Sequence, residues 1–477
     1  MEVTSLFFGL FVAVSLLIYY LASNKYRMIL LSLFSLVFIG TYSIKLTVYI
    51  LVFALINFFI GKKIESSGGK NLFFRIGLAF NILQLILLRY SGFLLDPVFV
   101  MLGSSFELSV VSDIIVPVGV SYYTLQGIGY LFNIKMGWEK PESKFMNFLV
   151  FITFFPKFLS GPIERSNHFL PQLKEIKSFE PRRITEGIKL ILYGLFKKVV
   201  IANQMAPFLT GVYSNIDSVS PSGLWLLIII QPLCLYFDFS GYTDMAIGVA
   251  KLFGIDLLPN FNKPFFAENM TNFWKRFHIS LSSWFNDYIF KQASFKYRKW
   301  GIYASIYALL LTWILFGIWH GAGWNFMLLG LIQALAIIYE FFTKKWRIKV
   351  FGKWPDIPRL WFSRLITFFF YGTSLVFFFS PDIHTTLRFF SNLGRTGSTV
   401  STFNLPGIPV YAFLLMIIIL LIEYVTNDFE KLNRQITVFW KSLTAPAIGI
   451  QIVVYVAMIV MIYYWGIAGQ QFIYAQF

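Results

Sequence analysis

Apolar runs of membrane-spanning length recur along this chain with little charge inside them, and no feature of the sequence limits the possible folds more. A bilayer-crossing helix needs roughly 20 predominantly apolar residues. Such runs fall near 5–22, 28–42, 46–60, 74–95, 114–133, 145–160, 185–212, 224–254, 301–318, 323–343, 364–380, 409–425 and 445–466. Charged residues make up 13% of the chain, against roughly 25% in soluble domains. The reading is an all-α polytopic membrane protein with about ten to twelve transmembrane helices, because several runs are too short or too broken to cross fully. The opening MEVTSLFFGL has no basic segment before its apolar run and reads as a retained first span rather than a cleaved signal peptide.

The net charge of +17 would suggest nucleic acid in a soluble protein. Here Lys and Arg gather between the apolar runs, at 23–27, 61–75, 291–300 and 344–353, as the positive-inside bias requires. The stretch 96–113 holds Asp96, Glu107 and Asp113 and no Lys or Arg. This alternation puts the basic loops in the cytoplasm and both termini outside, with no call for nucleic acid. Cys234 is the single cysteine, so no internal disulfide can form. No inverted repeat of the kind found in many transporters is visible.

Between Ile114 and Phe326 the apolar pattern is interrupted by Pro117, Pro156, Pro162, Pro232, Pro259 and Pro264. Non-helical backbone at membrane depth persists only where protein or a water-filled cavity covers it. Residues 114–345 are therefore expected to form a core enclosing a cavity. Residues 1–113 and 346–477 would be transmembrane scaffold, the latter with an external loop near 381–409.

Four histidines are present: His168, His278, His320 and His384. His384 falls in the expected external loop and His168 in a basic loop. On a continuous helix over Asn272–Phe290, His278 joins an apolar arc with Phe277, Trp274, Trp284 and Tyr288, so the helix would lie at the membrane interface or dip into the membrane. His320, in LFGIWHGAGWNF, follows the basic cluster at 296–299 by about 20 residues, enough for a helix to carry it to mid-membrane or beyond. Gly317, Gly321 and Gly323 leave room around it for a ligand or for backbone. Ionisable groups within a membrane are functional candidates by default, and neutral imidazole accepts protons near neutral pH. Asp238, Ser240 and Tyr242, in YFDFSGYTDMA, read either as a network joining broken helices or as partners that orient a histidine. Together with Trp319, Asn325, Trp274 and Arg276 they form the candidate substrate or tunnel residues. The spacing of His and Cys gives no metal site, and neither a Gly-x-Ser-x-Gly elbow nor a phosphate-binding Gly-Lys-Ser/Thr loop occurs.

Six blocks carry a resemblance: PVGVSYYTLQGIGYLF (117–132), FFPKFLSGPIER (154–165), GLFKKVVIAN (194–203), YFDFSGYTDMAIG (236–248), LPNFNKPFFAENMTNFWKRFHISLSSWFNDYIF (258–290) and FGIWHGAGWNF (316–326). In their order and spacing the chain resembles the membrane-bound O-acyltransferase family, in the bacterial branch typified by the alginate O-acetylation membrane protein. The resemblance implies a ring of helices around a central tunnel, with His320 as the catalytic histidine and His278 as a second signature position. Phe277 stands where that branch typically has Trp. It further implies acetyl-CoA as the acyl donor, with no bound cofactor. The acceptor would be an exported or cell-wall polysaccharide, reached with the help of an extracytoplasmic SGNH-type esterase-like partner, and the location would be the cytoplasmic (inner) membrane. Other readings are a transporter or flippase with a His/Asp proton relay, or the same fold with a D-alanyl or longer acyl donor.

Overall fold

The computed structural model describes residues 1–66, 68–94, 101, 118–175, 177–395, 409–428, 430–441 and 444–469. Among these, the regular structure is helical, apart from an isolated antiparallel bridge between Phe261 and Phe277. Among the described residues, eight helices are long and apolar enough to cross a membrane. Other apolar runs give shorter helices. Helix α1 (Leu6–Leu21) has 16 residues and α2 (Arg27–Gly40) has 14. After α3 (Ile44–Ser66) and α4 (Lys70–Leu94), both long enough, α5 (Val120–Met136) has only 17. The run at 145–160 yields the nine-residue α6 (Phe145–Thr153), followed by a turn that carries Pro156 and irregular backbone that carries Pro162. Asp96, Glu107 and Asp113 of the acidic stretch and Pro117 lie outside the described residues.

Next come α7 (Ser166–Lys174), α8 (Pro181–Leu195), a π-helical stretch (Phe196–Ala202) and α9 (Asn203–Ser214). Helix α10 (Pro221–Leu252) runs for 32 residues straight through Pro232, so that proline does not break the span as expected. A helical proline leaves the carbonyl four residues earlier without its hydrogen bond; here that is Ile228. Gly372 packs so tightly on the Ile228 oxygen that a Cβ there would clash, and Gln231 Nε2 donates to the Gly372 carbonyl at 2.6 Å. Close approach and polar pairing replace the hydrophobic effect here, since lipid tails are as apolar as the helices themselves.

The chain then forms α11 (Met270–Trp274), α12 (Ile279–Phe285), a π-helical turn (Asn286–Phe290) and α13 (Lys291–Lys296). The spans α14 (Ile302–His320), α15 (Trp324–Phe351) and α16 (Asp356–Phe379) follow. The expected basic loop at 344–353 is instead largely the end of α15. Cations suit a helix C-terminus, and their long stems can lie along apolar surface, so the helix need not stop where charge begins. The expected loop after residue 381 contains α17 (Ile383–Leu393), capped by Asp382, which accepts from the Thr385 backbone N–H at 2.7 Å; residues 396–408 lie outside the described set. Last come α18 (Val410–Asp428), α19 (Glu430–Lys441) and α20 (Ala445–Trp465).

By its internal contacts the chain forms two units. The first comprises 1–191 with 242–259, the second 192–241 with 260–477. The first has a phenylalanine-rich core that includes Phe38, Phe53, Phe148, Phe151 and Phe155, all essentially buried. Its buried ionisable groups are tied to backbone. Lys157 donates to Gln126 and to the Phe151 carbonyl. Glu142 accepts from the N–H groups of Ser143 and Lys144 at 3.0 and 3.1 Å. Glu164 accepts from Leu258 N at 2.6 Å and pairs with His168 Nδ1 at 2.8 Å.

Candidate active site

Both inner histidines belong to the second unit, and both are buried. His320 is the last residue of α14, about 27 Å of helix from Ile302, so the span carries it to its far end rather than to its middle. The glycines around it serve the protein's own packing. A Cβ at Gly317 would clash with the Phe326 carbonyl, and one at Gly321 with the Phe326 ring. The room they leave is taken up by α15, not by a ligand.

His278 does not lie on a continuous helix over Asn272–Phe290, as the periodicity predicted. Helix α11 ends at Trp274, and α12 starts at Ile279 with His278 as its N-cap residue in the left-handed region, φ 46° and ψ 51°. Lys263 is the only other non-glycine residue with positive φ among those described. Such a conformation costs a non-glycine residue roughly 1–2 kcal/mol and persists where the surroundings over-determine it. They do so here. The Asn260 carbonyl accepts from Ile279 N at 3.0 Å, and Asn260 Oδ1 accepts from Ser280 N and Ser280 Oγ at 3.2 and 2.6 Å. On the other side of the kink, Asn262 N donates to the Arg276 carbonyl at 2.9 Å.

Aromatic rings enclose the two imidazoles. His278 packs edge-on to Phe239, with centroids 4.6 Å apart, and lies 6.0 Å from Trp319. His320 lies 5.0 Å from the same Trp319, 4.8 Å from Phe316 and 5.7 Å from Phe378. Trp319 thus stands against both histidines. Burial, with His320 as the second influence, holds His278 well below the ordinary imidazole value, so its ring stays neutral at neutral pH.

The other candidate residues divide. Trp274 joins this cluster through Phe316, at 5.0 Å, and Trp313, at 4.8 Å. Arg276 reaches away, to Asn272 Oδ1 at 2.7 Å and to Asn427 Oδ1 at 3.0 Å. Asn325 is buried and donates to the carbonyls of Phe377 and Ser380 at 3.0 and 2.9 Å. Asp238 pairs with Lys198, and Ser240 accepts from Lys197 at 3.0 Å; these are the helix-joining contacts of the first of the two readings. Tyr242 belongs to the first unit, where its hydroxyl accepts from Ser160 N at 3.4 Å. Sequence reasoning passed over Phe316 and Phe378, the rings against His320, and Gln333, whose Oε1 accepts from Trp274 Nε1 at 3.1 Å. A lone glutamine within an apolar run was the available signal.

A cavity of about 1880 Å³ opens in the second unit, with Trp274, Thr312, Trp313 and Phe316 on its wall; neither histidine is among its lining residues. Its wall reaches the cluster through Phe316, whose ring packs on His320. Among the described residues no group of three or more His, Cys, Asp or Glu side chains is placed to hold a metal ion.

Residues 140–380 match the model of the membrane-bound O-acyltransferase family, MBOAT. The chain belongs to this family. It is a multi-pass membrane O-acyltransferase. Over 427 residues it is 31% identical to a peptidoglycan O-acetyltransferase of Helicobacter pylori, a match that covers 81% of this chain and 78% of that protein. With a probable alginate O-acetylase of Azotobacter vinelandii it shares 30% identity over 332 residues, 69% of this chain and 66% of the relative. A teichoic acid D-alanyltransferase of Bacillus subtilis is 32% identical over 278 residues, which cover 56% of this chain and 69% of that protein. The matched region of this acyltransferase contains both buried histidines and the helices α14, α15 and α16 that surround His320.

Proposed function

We propose that the protein passes an acetyl group from cytoplasmic acetyl-CoA across the inner membrane for O-acetylation of an exported or cell-wall polysaccharide. The observation that carries this reading is the pair of buried imidazoles set against one tryptophan. His320 takes the proton of an acceptor hydroxyl, the hydroxyl oxygen attacks the thioester carbonyl, and the C–S bond breaks. An ester is left on the acceptor, and the departing CoA sulfur takes up a proton. General-base catalysis of this kind contributes about 10²–10⁴-fold. His278, neutral and rigidly held, orients donor or acceptor. The cavity beside Phe316 and Trp313 belongs to the passage that admits substrate. Trp274 lines that passage, and Trp319, Asn325, Arg276, Asp238 and Ser240 support it within the same unit. Basic segments on the cytoplasmic side meet the donor's phosphates. Both termini face outward, where an SGNH-type partner completes transfer to the polysaccharide.

Membranes supplied with radiolabelled acetyl-CoA test this. Label should reach surface glycan in the wild type and be lost in His320→Ala. Equal labelling in both would remove the assigned role of His320. Labelling from a D-alanyl carrier thioester but not from acetyl-CoA would move the donor to that of the teichoic acid relatives. Export of unmodified sugar that survives His320→Ala would favour a transporter instead.

A further inference from the structure

Between Trp324 and Phe342, in the apolar part of α15, stand Asn325, Gln333 and Glu340. Spacings of eight and seven residues put all three within about 80° of one another on the helix, along about 22 Å of its length. Each reaches a different neighbour. At the His320 end, Asn325 holds the end of α16 through the carbonyls of Phe377 and Ser380, on either side of the Phe378 that packs on His320. Midway, Gln333 accepts from Trp274 Nε1 at 3.1 Å and donates to Ser374 Oγ at 2.8 Å. At the other end, the Glu340 carboxylate accepts from the Met270 and Thr271 backbone N–H groups and from Thr271 Oγ1, closing the start of α11. Helix α11 and the kink after it end on His278.

We propose that α15 is the rack that sets His278 in register with His320, with Gln333 and Glu340 as positioning residues that act through Trp274 and α11. This rests on the reading that the two histidines serve the acyl transfer. Five residues of α11 cannot fix their own position, because so short a helix makes almost no internal hydrogen bonds. Its entry point is set by Glu340, its exit by the Trp274–Gln333 bond. Both anchors lie on the helix that packs against the His320 span, so any slip of α15 moves both histidine environments together. Interhelical hydrogen bonds within membranes contribute little to stability. A misplacement of about 1 Å at a reacting centre, in contrast, can cost about 10²-fold in rate. The register bonds therefore matter to turnover more than to folding.

The test is a set of variants assayed as purified full-length protein in lipid nanodiscs, with donor KM, kcat and melting temperature recorded for each. Gln333→Met, which keeps the length but loses both hydrogen bonds, should lower kcat about 10- to 100-fold with donor KM and melting temperature nearly unchanged. Trp274→Phe, which removes only the indole N–H, should lower kcat with melting temperature nearly unchanged. The double variant should be no worse than Gln333→Met, because the bond that Trp274→Phe removes is already lost there. Glu340→Gln, with one carbonyl acceptor left, should lose less than Glu340→Ala. Should Gln333→Met fail to fold, Trp274→Phe read against the Gln333→Asn double variant carries the same comparison. Additive losses, or full kcat in Gln333→Met, overturn the proposal. His278→Ala and His320→Ala are run beside them. Activity retained in both histidine variants brings down the catalytic reading itself, whereas lost activity there with intact Gln333→Met brings down the rack alone.

Discussion

Buried carboxylate and ammonium groups of the first unit and the two inner histidines of the second have different surroundings. In the first, Glu142, Glu164 and Lys157 are each spent on backbone: two adjacent N–H groups, Leu258 N, and the Phe151 carbonyl. In the second, the side chains against His278 and His320 are Phe239, Trp319, Phe316 and Phe378. A carboxylate or ammonium in a low-dielectric interior demands hydrogen bonds from its surroundings. A neutral imidazole can be packed among aromatic rings. The first arrangement fixes loops; in the second, burial holds His278 below the ordinary imidazole value. The difference separates the groups that build the fold from those suited to the reaction, although all of them look alike as polar interruptions of an apolar sequence.

The contrast can be broken at several points. Replacing His320 with Ala should lower acyl transfer about 10²–10⁴-fold and leave the melting temperature near that of wild type; comparable loss of both in parallel would place His320 among the groups that build the fold. The opposite pattern is expected of Glu164→Ala. It leaves the Leu258 N–H without its acceptor, so stability should drop by about 1–3 kcal/mol in denaturant titration, with kcat preserved in the folded fraction. His278→Gly and His278→Ala both remove the ring, but only glycine is at ease with a positive φ. The Gly variant should be the more stable by about 1 kcal/mol, and equal stabilities would mean the kink relaxes once the ring is gone.

A smaller effect concerns pH. Burial raises the Glu139 carboxyl to about 7, against the Ser166 and Asn133 hydrogen bonds that lower it. Its folded-state value lies above the unfolded one, so the protonated form is favoured in the fold. The contribution to stability should be greatest at acid pH, fall as pH rises from about 4.5 toward about 7, and level off beyond. Glu139→Gln should flatten that part of the melting-temperature profile. An unchanged slope would assign the titration to another group.

The spans were legible because hydropathy over some 20 residues depends on nothing distant, and the start of α14 followed from it; that His320 closes the helix was not fixed by counting alone. Helix α17, capped by Asp382, was not read, because Ser, Thr and Gly in this region suggested a loop. Nor was the kink at His278. It is imposed by Asn260, which is 18 positions earlier and invisible to any local periodicity. Pro232 misled for a related reason, because the Ile228 carbonyl it leaves open is approached by Gly372, more than a hundred residues away. Gln333 and Glu340 were hidden by their isolation, since one polar residue in an apolar window reads as tolerance until its partner is seen.

The brevity of α1 carries a consequence for the surrounding lipid. Its sixteen residues rise about 24 Å, several ångströms less than the roughly 30 Å of an ordinary hydrocarbon layer, so α1 crosses only where that layer is thinned. Thinning costs a fraction of a kcal/mol for each ångström of mismatch. The protein should accordingly favour short-chain phospholipids around its amino-terminal edge, and its abundance in patches of differing acyl length should report that preference.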